Sequence, residues 1–189
     1  LIELVGLNKE HLNRYPHELS GGQIQRVVLA RILSLQPEFI VADEPTSMLD
    51  VSVQAQVLNL FKDIQQQYHI TYLFISHDLD VVRWMSDRIA VMYEGMIVEI
   101  GPAADVCENP QHPYTSLLVD SFSALGNNVY QNAVVPDAGL DKPPVGCKYS
   151  PCCSRVSIAC NNKPDLKEVG KNHFVACWEV EESRVFNIL

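Results

Sequence analysis

The chain has 189 residues, 21.2 kDa, 47% hydrophobic residues and a formal charge of −9. That length supports a sizeable core, and the composition is ordinary for a globular protein. The acidic balance argues against general nucleic-acid binding, which needs a basic surface. No stretch approaches about eighteen uninterrupted apolar residues, so no spanning helix is expected; no signal peptide is visible either.

Leu1 to Leu7 reads as helix and loop, and residues 8 to 18, with Tyr15-Pro16-His17, as a loop. Leu19-Ser20-Gly21-Gly22-Gln23 then opens a helix expected over Gly22 to Leu35, with Ser20 as its N-cap. The amides of Gly21 and Gly22 face out of that helix start, where partial positive charge and unshared donors suit an anion such as a γ-phosphate. A turn at Gln36-Pro37 leads into the apolar run Phe39 to Ala42, read as a buried strand, which ends at Asp43-Glu44. An open α/β sheet places its ligands at such strand ends. Asp43 there suits Mg²⁺ held through water, and Glu44 suits the polarising of an attacking water.

Pro45 to Asp50 runs into a long amphipathic helix over Val51 to Tyr68, whose stripe Val57, Leu60, Phe61, Ile64 and Tyr68 reads as core. Asp50 is placed either to cap that helix or to reach across a dimer interface. A second buried strand, Ile70 to Ser76, ends at His77-Asp78, where an imidazole can bond a phosphate oxygen or the attacking water. A short helix follows over Leu79 to Met85. Glu94-Gly95 between Arg88–Tyr93 and Met96–Ile100 signals a two-residue hairpin. Alternating strands and helices imply a parallel sheet, here with an antiparallel edge hairpin.

These residues resemble the second half of an ABC-type ATPase domain. Leu19 to Gln23 match the family signature, Phe39 to Glu44 the Walker B strand and its glutamate, Ser47 to Asp50 the D-loop (with Met48 where alanine is usual), and His77 the switch histidine. The resemblance covers roughly residues 1 to 120. It implies a partial P-loop NTPase fold and a head-to-tail dimer with two ATP molecules sandwiched between subunits. Ser20, Gly21, Gly22, Gln23 and Asp50 would then serve the partner's ATP, and Asp43, Glu44, His77 and Mg²⁺ the subunit's own. No Gly-x-x-x-x-Gly-Lys-Ser/Thr occurs in the sequence. The chain therefore reads as a C-terminal fragment, expected to bind ATP weakly and to be inactive alone.

After Gly101-Pro102 come a short helix over Ala103 to Cys107, the turn Asn109-Pro110-Gln111-His112-Pro113-Tyr114-Thr115 and an apolar helix, Ser116 to Phe122. By itself His-Pro-Tyr is a turn that starts a helix. In this place it resembles the C-terminal extension of the oligopeptide and dipeptide importer ATPases, shared with nickel importers. Residues 123 to 145, rich in Asn, Pro, Gly and Asp, read as a linker. Five of the six cysteines lie at or beyond 147. Clustered cysteines in an apparently cytosolic protein favour metal over disulfides. By resemblance to the peptide-importer ATPases, Cys147, Cys153, Cys160 and Cys177 are the candidate ligands and Cys152 is extra. Four thiolates suit a [4Fe–4S] cluster or Zn²⁺, and the alternative is a set of reduced, partly buried thiols. Cys107 reads as a small buried hydrophobe.

The expected organisation is a C-terminal ATPase half over 1–101, the His-Pro-Tyr extension over 102–122, the linker over 123–145 and a Cys-rich region over 146–189. The resemblance implies the motor subunit of a peptide importer, peripheral on the cytoplasmic face of the cell membrane. Its implied partners are a paralogous ATPase, two transmembrane permeases and an extracytoplasmic substrate-binding protein, and no nucleic acid. A nickel or antimicrobial-peptide importer ATPase, a soluble non-transport ABC ATPase and a stand-alone metal-binding module are the alternatives.

Overall fold

The structure, a computed structural model, describes residues 1–125 and 145–180. Most of the expected linker, from 126 to 144, lies outside the described residues. Two compact units divide at Met85/Ser86.

The first unit holds α1 (Gly21–Leu33), β1 (Phe39–Asp43), α2 (Val51–Tyr68), β2 (Thr71–Ile75) and α3 (Leu79–Met85). Within residues 8 to 18, Lys9–Asn13 and Pro16–Glu18 each form a single 3-10 turn where a loop was expected. β1 and β2 pair in parallel with Val41 opposite Leu73. Their connection is α2, as a parallel pair requires. The core joins Leu29, Ala30 and Leu33 of α1, Ile40 and Ala42 of β1, and Val57, Leu58, Leu60, Phe61 and Ile64 of α2. Phe61 meets Tyr72 and Phe74 of β2 edge to face, a favourable aromatic geometry.

Both strands were expected to be buried on both faces. Burial instead alternates along β1, and Phe39, Val41, Leu73 and Ile75 are each about half exposed. Among the described residues only one face of this sheet is covered, whereas parallel strands normally have helices on both.

The second unit corrects the expected sheet. β3 (Arg88–Tyr93) and β4 (Met96–Pro102) form the hairpin, with Glu94 and Gly95 at φ 46° and 78°, as a type I′ turn demands. Among the described residues this hairpin is not an edge of the parallel sheet. It belongs to a separate antiparallel sheet of order β3-β4-β6-β5, completed by two short strands of the Cys-rich tail, β5 (Lys167–Gly170) and β6 (His173–Val175). The hairpin therefore falls within the second unit, whereas a boundary after 101 assigns it to the ATPase half. α4 (Ala103–Glu108) and α5 (Pro113–Leu125) complete the unit.

Candidate functional site

In the first unit Ser20 caps α1. Its Oγ accepts the Gln23 N–H (3.3 Å), and the Gln23 Oε1 accepts the Ser20 N–H (2.9 Å). This reciprocal capping box leaves the first helical amides, Gly21 and Gly22, without intrahelical partners. Gly22 is buried, and a Cβ there would overlap Cγ1 of Val53 on α2. Its missing side chain thus serves close helix packing as well as backbone exposure. Asp50 caps α2: its Oδ1 accepts the Ser52 and Val53 N–H groups (3.1 and 3.0 Å) and the Ser52 hydroxyl (2.8 Å). Those bonds, the Val53 amide first, hold its carboxyl below the ordinary value. Of its two sequence readings, capping is the one realised within the chain. Met48 and Val51 on either side are almost fully exposed (95% and 83%), an apolar display on a connecting segment.

At the strand ends two sequence-predicted residues meet. Glu44 leaves β1 with φ 47°, left-handed for a residue with a Cβ. Such strain concentrates where surrounding structure fixes a functional geometry. Its N–H still donates to Ile75 O (2.9 Å), so the parallel ladder carries it to the end of β2. There its carboxylate lies 2.9 and 3.0 Å from Nδ1 of His77 and accepts the His77 N–H (3.1 Å). Bonding and charge attraction from Glu44 raise the His77 pKa, burial opposing weakly. An Nδ1–H donor to Glu44 leaves Nε2 turned outward. Asp43, at the last position of β1, is exposed.

In the second unit the His-Pro-Tyr turn is tied to β4 by a buried carboxylate. Glu99 is fully buried (0% exposed). It accepts the N–H groups of Gln111 (2.9 Å) and His112 (2.8 Å), and the Nε2–H of His173 on β6 (2.7 Å). His112 is also buried, and burial pushes its pKa down to about 4 against the pull of Glu99. Its Nδ1 accepts the Tyr114 N–H (3.1 Å). Tyr149 packs on the rings of Tyr93, His112 and Tyr114, joining the turn to the cysteine segment.

Cys147, Cys153, Cys160 and Cys177 share one neighbourhood: the Cys177 thiol feels each of the other three, and Cys147 and Cys153 both feel Cys160. Burial, then the neighbouring sulfurs, pushes the thiols of Cys147, Cys153 and Cys177 up. Backbone amides oppose this. The N–H two residues on is directed at the sulfur in all three cases, from Tyr149, Arg155 (3.3 Å) and Glu179. Such bonds favour thiolate. Cys147 N–H also donates to Cys160 O (3.0 Å), where Gly146 lets two loops cross: a Cβ there would lie 2.7 Å from that oxygen. Cys152 is near enough to Tyr93 and Tyr149 to raise their hydroxyl pKa values, as are Cys147 and Cys153 respectively. Among the described residues, no group of three or more His, Cys, Asp or Glu is placed so that it could hold a metal ion. None of the six cysteines is in a disulfide, and Cys107 is buried as expected.

The ABC transporter family model matches residues 1–47, and the model for the oligopeptide/dipeptide transporter C-terminal region matches residues 98–160. The chain is 49% identical to the oligopeptide transport ATP-binding protein OppF of Bacillus subtilis, across 96% of this chain and 55% of that protein. It is 45% identical to the di/tripeptide transport ATP-binding protein DppF of Pseudomonas aeruginosa, across 96% of this chain and 57% of that protein. Across nearly its whole length the chain is similar to ATP-binding proteins of oligopeptide and di/tripeptide transport. Among solved structures it resembles the ADP conformation of MJ1267, an ATP-binding cassette of an ABC transporter. The TM-score is 0.53 at 29% identity, covering 61% of this chain and 46% of that one. The chain spans about half the length of the curated relatives it matches.

The ABC match takes in the capped turn and Glu44 and stops short of His77. The C-terminal match takes in Glu99, the His-Pro-Tyr turn and the first three candidate cysteines. Sequence reasoning missed three residues of these sites. Glu99 falls within the expected strand Met96–Ile100, His173 within the Cys-rich tail, and His11, which bonds Gln23, within the expected loop. A buried carboxylate leaves no local signal when its partners are distant in sequence.

Proposed function

We propose that this chain supplies the signature turn, the Walker B carboxylates and the switch histidine of the ATP-hydrolysing motor subunit of a peptide-importing ABC transporter. The observation that carries the reading is the Glu44–His77 clasp at the ends of two parallel strands. Glu44 takes the proton from water as its oxygen attacks the γ-phosphorus and ADP leaves. His77, anchored through Nδ1, presents Nε2 to the phosphate or the water. Asp43 holds Mg²⁺, which neutralises charge on the phosphates. Ser20, Gly21, Gly22 and Gln23, with Asp50 nearby, form the surface offered to the partner subunit's ATP. Closure of that dimer drives two permeases, and an extracytoplasmic binding protein brings peptide. The subunit sits peripherally at the cytoplasmic face of the cell membrane. In support, no helix among the described residues is long and apolar enough to cross it. The match to the peptide-transporter C-terminal region and the peptide-transport roles of the similar proteins favour peptide as cargo.

The 189 residues alone do not turn ATP over, because they contain no phosphate-cradling Gly-rich loop with its lysine. ATP turnover by the isolated chain would sink this part of the reading. In a chain extended to the length of the relatives, Glu44→Gln lowers kcat by about 10²–10⁴, the usual contribution of a general base, with nucleotide binding retained. Unchanged turnover refutes the assignment.

Cys147, Cys153, Cys160 and Cys177 hold a [4Fe–4S] cluster, Zn²⁺ being the competing occupant. What supports the reading is the amides directed at three of the four sulfurs, set against burial that raises those same thiols. Anaerobic reconstitution with iron and sulfide, followed by native mass and visible absorption, tests this. Cys152→Ala retains the cluster and Cys160→Ala loses it. Zinc uptake alone, or equal loss in both variants, refutes it.

A further inference from the structure

Beneath the signature turn lies a contact that the proposed reaction does not use. The His11 ring sits within 3.2 Å of the Gln23 carboxamide nitrogen, Nε2 to Nε2. On its other side Nδ1 lies 3.1 Å from both the N and the O of Asn8. His11, Ser20 and Gln23 share one wall of a polar cavity of about 280 Å³.

The proton positions in this chain of contacts turn on which of two donors, the exposed Asn8 N–H or the part-buried Gln23 NH₂, the ring accepts. The Ser20 backbone N–H can only donate, so the Gln23 atom facing it at 2.9 Å is the carbonyl oxygen. The Gln23 NH₂ then faces His11 and must find an acceptor there. With no proton on Nε2, Nδ1–H donates to Asn8 O and opposes the Asn8 N–H at the same nitrogen, an exposed donor that water can satisfy. The other tautomer accepts the Asn8 N–H at Nδ1 but, like an imidazolium, sets Nε2–H against the Gln23 NH₂ in the part-buried half of the contact. Turning the amide over to relieve that clash moves the conflict to the Ser20 N–H.

We infer that His11, as its neutral Nδ1–H tautomer, is a positioning residue for the signature turn: it holds the Gln23 carboxamide so that the capping box stays closed. With the box closed, Ser20 Oγ accepts from Gln23 N–H, so the hydroxyl proton is directed away from the helix. It joins the Gly21 and Gly22 amides as a donor for an anion. This inference rests on the proposed role of the signature turn in binding the partner's ATP.

Two isosteric variants separate positioning from a merely structural role. His11→Gln keeps an acceptor where Nε2 stands. His11→Asn keeps the polar atoms at Nδ1, which staple the first 3-10 turn, but withdraws the contact to Gln23. The first measurement uses the 189-residue chain: nitrogen-detected NMR of the His11 ring, and hydrogen exchange at the Ser20 amide. The expected result is a protonated Nδ1 at neutral pH, with Ser20 protected in wild type and His11→Gln. In His11→Asn and His11→Ala the Ser20 amide exchanges about fivefold faster, the effect of one ordinary hydrogen bond. A proton on Nε2, or equal exchange in His11→Gln and His11→Ala, overturns the inference whether or not the parent protein hydrolyses ATP. In the extended chain with its partner subunit, His11→Asn lowers kcat about fivefold with KM for the subunit's own ATP unchanged, and His11→Gln restores it. An active wild type whose His11→Gln and His11→Ala variants are equally impaired overturns the inference and leaves the ATPase reading standing. A wild type without ATPase activity refutes that reading, and the NMR result still decides the role of His11.

Discussion

Glutamine in place of Glu99 tests whether the His-Pro-Tyr turn is held by a buried carboxylate. Glu99 accepts three hydrogen bonds: Oε1 from Gln111 N–H and His173 Nε2–H, and Oε2 from His112 N–H. Glutamine has the same shape and one acceptor oxygen fewer. With its carbonyl at the Oε1 position, the NH₂ opposes the His112 amide. With the carbonyl at the other position, the Gln111 amide is left without an acceptor. Either way one backbone N–H is orphaned, buried at His112 or half-buried at Gln111, which costs about 1–3 kcal/mol, and the remaining bonds lose their charge assistance. Relief from burying a charge offsets part of this. The net loss is about 2–3 kcal/mol in the stability of the second unit. Each unit has one of the two tryptophans, Trp84 and Trp178, so urea unfolding of a Trp84→Phe background reports the second unit through Trp178. Hydrogen exchange at Gln111 and His112 reports the turn itself, and 2 kcal/mol there corresponds to roughly thirtyfold faster opening. Glu99→Gln unfolding within about 0.5 kcal/mol of wild type, with those two amides exchanging at wild-type rates, would refute the reasoning.

The same knot predicts acid sensitivity. His112 titrates near 6.5 when unfolded and at about 4 when folded. Between those values the unfolded chain binds the extra proton, so stability falls as pH drops through that window, by up to about 3 kcal/mol. His112→Asn, which keeps an acceptor for Tyr114 N–H and does not titrate, flattens the profile; an unchanged slope rejects the assignment. In the first unit, Gly22→Ala destabilises by about 1–3 kcal/mol through overpacking against Val53. Gly21→Ala meets only the end of the Leu49 side chain at 3.1 Å and costs less, so equal losses in thermal unfolding would deny Gly22 its packing role.

What the sequence made legible is local. Ser20 and Asp50 announce their helices because a cap and the amides it accepts lie within three residues. Glu94-Gly95 announces its hairpin because only left-handed residues close that turn. Glu44 and His77 were expected at strand ends, and the parallel pairing of β1 with β2 brings them into contact. The tail strands were not legible. β6 has three residues, and its place between β4 and β5 depends on pairing with residues more than seventy positions earlier. A hairpin read alone therefore looks like an edge, when its open side is covered by a segment from beyond the linker.

Glu99 shows why such a site escapes local rules and why it is informative once seen. In an alternating strand a glutamate predicts the solvent face. Here it is buried because three segments, β4, the turn at Gln111–His112 and β6, converge on it, the last 74 residues away. An unpaired carboxylate there would be prohibitively costly, so its partners must assemble together. The His-Pro-Tyr turn, the hairpin and the last strand before Cys177 are thus coupled through one side chain. Loosening any of the three exposes the charge that the other two were arranged to satisfy, and the cysteine neighbourhood loses the strand that leads into Cys177.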